Sequence, residues 1–135
     1  LYIKASMLSE CEVMGDDGLE TFVTEDDYEV IRINIQELLA DRDDYLDVFV
    51  DDMKYSDTPI RKSIAEDLAD IYQVTKDFVC QFRSGLNGTM HDALAQCRDL
   101  FMEYWGQTLV NTMRALHEVK YCKSDEEEED FLYND

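Results

Sequence analysis

The chain has 135 residues, a formal net charge of −20 at pH 7 and 45% hydrophobic residues. Such an acidic chain repels phosphate groups, so the composition argues against nucleic acid and anionic membranes as partners. The length suits a single domain that removes roughly two-thirds of its unfolded surface from water, and the hydrophobic share excludes a globally disordered chain.

One proline and five glycines occur in the whole chain, and the apolar residues recur at helical spacing. We therefore predict an all-α fold, an antiparallel helical bundle with two long C-terminal helices and shorter acidic N-terminal helices. No stretch of about eighteen apolar residues occurs, so we predict no transmembrane helix and take the cytoplasm as the default location. The first residue is not a methionine, and we expect an N-terminal segment to be missing before it.

The first forty residues predict the end of a helix (residues 1–8), a long loop (residues 9–23) and a second helix. Thr24 is a suitable N-cap for that helix, since its hydroxyl can accept from the backbone N–H of Asp27. The acidic residues that follow Thr24 lie at the positive end of the helix dipole, where negative charge stabilises a helix. The predicted buried stripe consists of Tyr28, Ile31, Ile35, Leu38 and Leu39.

A break at residues 41–44 separates this helix from a short one of two or three turns, which Asp43 or Asp44 would cap. Its apolar residues are Tyr45, Leu46, Val48, Phe49 and Met53. A long helix is predicted to follow, with Thr58 as its N-cap and Pro59 at its first position, because proline is well tolerated at the first position of a helix.

The long helices follow each other across a predicted turn at Asn87 and Gly88. Gly85 is expected to end the first helix in the left-handed conformation. Thr89 is expected to cap the second, with Asp92 completing a capping box. Gly106 suggests a close helix crossing. The predicted stripes are Ile64, Leu68, Ile71, Thr75, Phe78 and Phe82 in the first helix, and Leu94, Cys97, Phe101, Trp105, Leu109, Met113 and Leu116 in the second.

Charge is distributed unevenly along the chain. Residues 10–57 carry seventeen acidic and three basic side chains, residues 58–124 carry eight of each, and residues 125–130 are all acidic. We predict one helical domain over residues 1–123, incomplete at its N-terminus, and an acidic flexible tail over residues 124–135. The alternative for the tail is a docking motif formed by its aromatic end, residues 131–133.

Paired carboxylates are the most specific chemical pattern. Pairs at i and i+3 share a helix face, and two facing pairs can bind Mg²⁺ and activate water against a phosphate. The spacing resembles the two acidic motifs of the all-α nucleoside triphosphate pyrophosphohydrolases, although that family typically uses Glu at these positions. In so acidic a segment the other interpretation is a solvated face with an N-cap. The residues are Asp43, Asp44, Asp47, Asp67 and Asp70.

Other residue types give no catalytic pattern. The spacing of the four cysteines predicts free thiols rather than disulfides or a zinc site. His117, near a helix C-terminus, is interpreted as structural or half-exposed, and His91, in a first turn, is less informative. The acidic residues lack the glycine and the closing glutamate of an EF-hand loop. We therefore assign no catalytic, cofactor-binding or metal-binding residue. The cysteines are Cys11, Cys80, Cys97 and Cys122.

Several passages resemble a family of small, acidic, helical bacterial proteins known only as a domain of unknown function. They are residues 67–72 (DLADIY), 104–109 (YWGQTL) and 114–117 (RALH), with weaker support from residues 2–8 (YIKASML) and 45–50 (YLDVFV). The resemblance implies a cytoplasmic helical protein with a further helical segment before Leu1. It implies no catalytic residue.

The leading functional hypothesis is a non-enzymatic interaction module, monomeric or homodimeric, whose acidic first half and tail bind a basic protein partner. The alternative is a metal-dependent enzyme like the pyrophosphohydrolases, using Asp44, Asp47, Asp67 and Asp70. A third interpretation is that charge only maintains solubility, and that the true site is a groove near Leu1.

Overall fold

The structure is a computed structural model that describes residues 1–15, 18–47 and 60–122. Its elements in chain order are α1 (Tyr2–Ser6), α2 (Glu25–Leu39), a 3₁₀ turn (Ala40–Arg42), β1 (Asp44–Leu46), β2 (Arg61–Ser63), α3 (Ile64–Phe82), α4 (Asn87–Leu100), a π-helical turn (Phe101–Trp105) and α5 (Gly106–Tyr121). The fold is mostly helical, as predicted, with a small sheet that the sequence analysis missed. Within the described ranges, no helix is both long enough and apolar enough to cross a membrane.

The loop before α2 and the start of α2 are confirmed. Thr24 accepts from the backbone N–H of Asp27, and the Asp27 carboxylate accepts from the backbone N–H of Thr24, both at 3.1 Å. This reciprocal pair is a capping box. The predicted stripe is half-buried except at Leu38, which is 84% exposed, so that assignment is wrong.

A strand replaces the beginning of the predicted short helix. β1 pairs with β2 in antiparallel register, with Tyr45 opposite Lys62. Tyr45 is buried while Asp44 and Leu46 are exposed, and this alternation is the period of a strand and not of a helix. The rest of the predicted short helix, and the predicted helix start at Thr58 and Pro59, lie outside the described residues.

α3 begins at Ile64, because the residues before it belong to β2. Its N-cap is Ser63, whose hydroxyl accepts from the N–H of Glu66 at 3.2 Å. The Asp43 carboxylate accepts from the N–H of Ala65 at 2.7 Å and from the Ser63 hydroxyl at 2.5 Å. Asp43 therefore caps α3 across the chain and not the short helix that was predicted to follow it.

The turn between the long helices lies at residues 83–86. Gly85 has φ +71°, which confirms its left-handed conformation. Asn87 and Gly88 do not form the turn, since α4 begins at Asn87. The Thr89 cap is also wrong: Leu86 occupies the N-cap position without a side-chain hydrogen bond, and Asp92 accepts hydrogen bonds from a different segment of the chain.

α3 packs against both α4 and α5. One buried cluster joins Ile71 of α3 to residues of α1, α4 and the π-helical turn, and a second joins Ile64 to Ala115 of α5. Two assignments to the buried stripes are wrong, because Phe82 is 40% and Met113 is 58% exposed.

The last predicted helix is interrupted by the π-helical turn. Trp105, the final residue of the π-helical turn, is 1% exposed and donates from Nε1 to the carbonyl oxygen of Cys97 at 3.2 Å. A Cβ added at Gly106 would lie 2.6 Å from the carbonyl oxygen of Phe101. The three atoms nearest to such a Cβ all belong to Phe101 of the adjoining turn, and the close helix crossing stays a prediction.

We expect Gly106→Ala to lower the free energy of unfolding by about 1–3 kcal/mol, because the new methyl group overlaps the Phe101 carbonyl and ring. Gly88→Ala is the matched control. A Cβ at Gly88 meets no atom within 4 Å, so this helical glycine should tolerate alanine or gain up to about 1 kcal/mol. Urea unfolding followed by circular dichroism measures both. Equal stability of the two variants would contradict the proposed clash.

Candidate functional site

The five aspartates that were grouped by their spacing have different bonding partners in the structure. Asp43 caps α3, as described above. Asp44 is exposed on β1 and forms an ion pair with Arg61, with 3.7 Å between Oδ2 and the guanidinium. Asp47 is buried directly after β1 and accepts from Nδ2 of Asn111 at 3.2 Å. These three carboxylates therefore have different partners.

Asp67 lies in the interior between β1, α3 and α5. It is 3% exposed, and its Oδ2 accepts from the hydroxyl of Tyr45 and from the hydroxyl of Thr112, the latter at 3.4 Å. Burial raises the pKa of Asp67, while the hydrogen bond from Tyr45 and the charge of Lys62 oppose that rise. The carboxylate thus joins three elements at one buried point.

Asp70 lies one turn further along α3 and accepts from two tyrosines. The hydroxyl of Tyr28 in α2 donates to Oδ1 at 2.7 Å, and the hydroxyl of Tyr104 in the π-helical turn donates to Oδ2 at 2.6 Å. Burial, followed by the hydrogen bond to Asp70, raises the pKa of both tyrosines. Both phenols are therefore neutral donors at physiological pH.

The sequence analysis identified Asp67 and Asp70 but missed their partners. It interpreted tyrosines as core residues, and only the recurrence of Tyr near the acidic pairs could have suggested a donor role. Across residues 1–15, 18–47 and 60–122, no three His, Cys, Asp or Glu side chains converge in a way that could hold a metal ion. Four of these carboxylates, those of Asp43, Asp47, Asp67 and Asp70, accept hydrogen bonds from tyrosine, threonine, serine, asparagine or backbone donors.

A second set of carboxylates attaches the loop before α2 to α3 and α4. We call the described part of this loop, residues 12–15 and 18–23, the strap. Asp77 accepts from the backbone N–H groups of Phe22 and Val23 at 2.7 and 2.8 Å. Asp92 accepts from those of Met14 and Gly15 at 2.7 and 2.9 Å. Asp92 therefore accepts hydrogen bonds from the strap and does not form the predicted capping box.

Two further side chains bind carbonyl groups of the strap. Gln81 donates to the carbonyl of Glu20 at 2.9 Å, and Nε2 of His91 lies 2.8 Å from the carbonyl oxygen of Glu12. His91 thus helps to hold the strap, a role that the sequence did not predict. A cavity of about 140 Å³ lies beneath the strap, which is smaller than the roughly 300–1,000 Å³ of typical small-molecule pockets.

An open cleft of about 550 Å³ lies between the strap and the turn before α4. This volume falls in the range of ligand pockets. The charged residues among its described lining are Glu20 and Asp92, and Asp92 is already bound to the strap. Within the described lining, the charged groups are therefore both acidic, and this lining does not by itself specify a ligand.

The outer surface of the first half carries most of the exposed acidic residues. Arg32 is bound by Glu29 at 2.6 Å, and Arg42 donates to the carbonyls of Val119 and Cys122 at the end of α5. Both bases are thus held by local partners. The exposed acidic residues in the described part of this half are Glu10, Glu12, Glu20, Glu25, Asp26, Asp27, Glu37, Asp41 and Asp44.

The thiols and the second histidine show no catalytic arrangement. All four cysteines are free, as predicted. Cys97 is buried, and burial raises the pKa of its thiol to about 11, so it remains protonated and unreactive. His117 is exposed and stacks on Tyr121 with ring centroids 4.7 Å apart.

These features define a mostly helical protein whose buried aspartates hold its elements together and whose first half has an acidic surface. The family model for a domain of unknown function, DUF5063, matches residues 1–122, and the chain belongs to this family. The family resemblance found in the sequence is thus confirmed.

One solved structure with a similar fold is the crystal structure of protein BF1032 from Bacteroides fragilis, a Northeast Structural Genomics Consortium target. The two chains share 53% sequence identity and a TM-score of 0.79, and the match covers 92% of this chain and 71% of that one. No curated protein matches the chain. Neither similarity assigns a reaction, ligand or partner.

We expect Asp43→Ala to lower the free energy of unfolding by about 1–3 kcal/mol, because the buried N–H of Ala65 loses its acceptor. Asp44→Ala is the matched control: its exposed ion pair with Arg61 contributes little, so stability should hardly change. Urea unfolding measures both variants. A loss for Asp44→Ala as large as that for Asp43→Ala would contradict the assigned cap.

We expect Asp67→Asn to change how stability depends on pH. In the folded state the pKa of Asp67 is raised above its ordinary value of 3.8. The protonated carboxyl group therefore contributes to the free energy of unfolding below pH 3.8, and this contribution is lost as the pH rises through the folded-state pKa. Wild type should therefore lose free energy of unfolding relative to Asp67→Asn as the pH rises above about 4. Urea unfolding at a series of pH values tests this. Glu66→Gln, which removes one exposed charge, is the control, and a difference that does not vary with pH contradicts the burial argument.

Proposed function

We propose that this protein is a non-enzymatic acidic interaction module that binds a basic protein partner in the cytoplasm, as a monomer or homodimer. The proposal includes one domain over residues 1–123, an antiparallel bundle with acidic N-terminal helices. The acidic tail predicted over residues 124–135 lies outside the described residues. One observation carries the proposal: the exposed acidic residues of the first half greatly outnumber its bases, and Arg32 and Arg42 are held by local partners. Such a surface attracts a basic partner and steers its approach.

The metal-dependent alternative is less well supported. It requires carboxylates that converge on one or two cations. Asp67 and Asp70 instead accept hydrogen bonds from Tyr45, Tyr28 and Tyr104, and these bonds join structural elements. An interaction module needs no such convergence, and it leaves the interior carboxylates to stabilise the fold.

A labelled oligolysine peptide is a suitable probe of the charge-based function. We expect fluorescence anisotropy to show binding that weakens about tenfold as salt rises from roughly 50 to 500 mM, because exposed charges are screened. Glu25→Gln/Asp41→Asn should weaken binding more than Asp99→Asn/Glu103→Gln. Both double variants remove two negative charges, but the control pair lies in the neutral half. Salt-insensitive binding, or equal effects of the two double variants, would contradict the proposal.

A further inference from the structure

The solvent-facing side of α2 carries two apolar residues that pack against no described core cluster. Val30 is 57% and Ile33 is 42% exposed, and residues three apart lie on the same helix face. The opposite face of α2 is turned toward α3, since Tyr28 donates to Asp70 and Leu39 packs on the cluster around Ile64. The helix is thus apolar on two sides, and only one of them is covered.

Acidic residues lie at both ends of this apolar pair. Asp26 precedes Val30 by four residues and Glu37 follows Ile33 by four, and both are exposed. All four residues fall within one face, because steps of four, three and four keep to one side of a helix. The two carboxylates are about 16 Å apart along the axis at roughly 1.5 Å per residue. We call Asp26, Val30, Ile33 and Glu37 the docking row.

The nearest base does not neutralise the docking row. The guanidinium of Arg32 is held by Glu29 and by Oε1 of Gln36, at 2.6 and 2.8 Å, and its side chain is only 24% exposed. The face therefore combines an apolar centre with negative ends. This pattern is complementary to a segment with apolar residues between two bases.

We infer that the docking row binds a basic amphipathic helix of a protein partner. Apolar side chains of that helix would cover Val30 and Ile33, and Lys or Arg residues about three turns apart would pair with Asp26 and Glu37. This inference rests on the proposed function and specifies the kind of partner. Two other occupants of the docking row are disfavoured by its negative charge. An anionic membrane attracts basic and not acidic surfaces. A second copy of this chain would place the same acidic face against itself.

The test uses the full chain and two labelled synthetic helical peptides of identical composition. The matched peptide has two central leucines between two lysines that are eleven residues apart. The scrambled peptide contains the same residues in an order that gives no apolar face. By fluorescence anisotropy near physiological salt, we expect the matched peptide to bind about tenfold more tightly. Val30→Ser and Ile33→Ser should each remove most of that preference.

Val110→Ser is the matched control, since Val110 is an equally large side chain, 44% exposed, in α5. It should leave the preference intact. Because all three variants replace exposed residues, circular dichroism should show an unchanged fold. Sedimentation velocity tests the second copy: a dimer that Ile33→Ser dissociates would overturn the inference in favour of self-association.

The outcomes separate this inference from the function on which it rests. Equal, salt-sensitive binding of both peptides that is unaffected by Val30→Ser and Ile33→Ser overturns the docking row and leaves the charge-based function standing. No binding of either peptide or of oligolysine overturns both. A preference for the matched peptide that only the α2 variants abolish supports the docking row.

Discussion

The fold depends on hydrogen bonds that the aspartates of α3 accept. Asp67 receives donors from β1 and α5, Asp70 from α2 and the π-helical turn, and Asp77 from the strap. Hydrogen bonds to charged groups contribute about 1.5–3 kcal/mol, against about 1 kcal/mol for neutral pairs. Apolar contacts alone would leave these elements free to slide along α3, whereas each directional bond fixes one element at one turn of the helix.

The π-helical turn follows from the same arrangement. A π turn adds one residue to a helix and changes the direction of the side chains within it. Here Tyr104 reaches Asp70 while Trp105, one residue later, is buried and bonded to Cys97. The close approach of Phe101 leaves no space for a side chain at Gly106. The irregular turn is therefore part of the packing and not an interruption of it.

The sequence predicts the parts of this fold that depend on local chemistry. The capping box at Thr24, the glycine conformation at Gly85 and the apolar periodicity of the long helices all arise from neighbouring residues. β1 and β2 could not be predicted in this way, because their short pairing joins residues distant in sequence. The interior bonds of Asp67 and Asp70 were missed for a related reason: the i and i+3 spacing marked the carboxylates as unusual, but their donors lie on other elements.

Acidic residues in this chain serve two purposes, and burial separates them. Buried or half-buried aspartates accept hydrogen bonds from the backbone, tyrosines and threonines, and these bonds join separate elements of the fold. Among the exposed acids of the first half, Asp27 belongs to the capping box of α2 and Asp44 pairs with Arg61. Mutual repulsion among the exposed acids opposes the compact state. Only this outer charge is available to a partner, and on α2 it surrounds apolar residues that solubility does not require. Solubility alone gives Val30 and Ile33 no role, whereas the proposed partner helix would cover both side chains and pair with the carboxylates at either end.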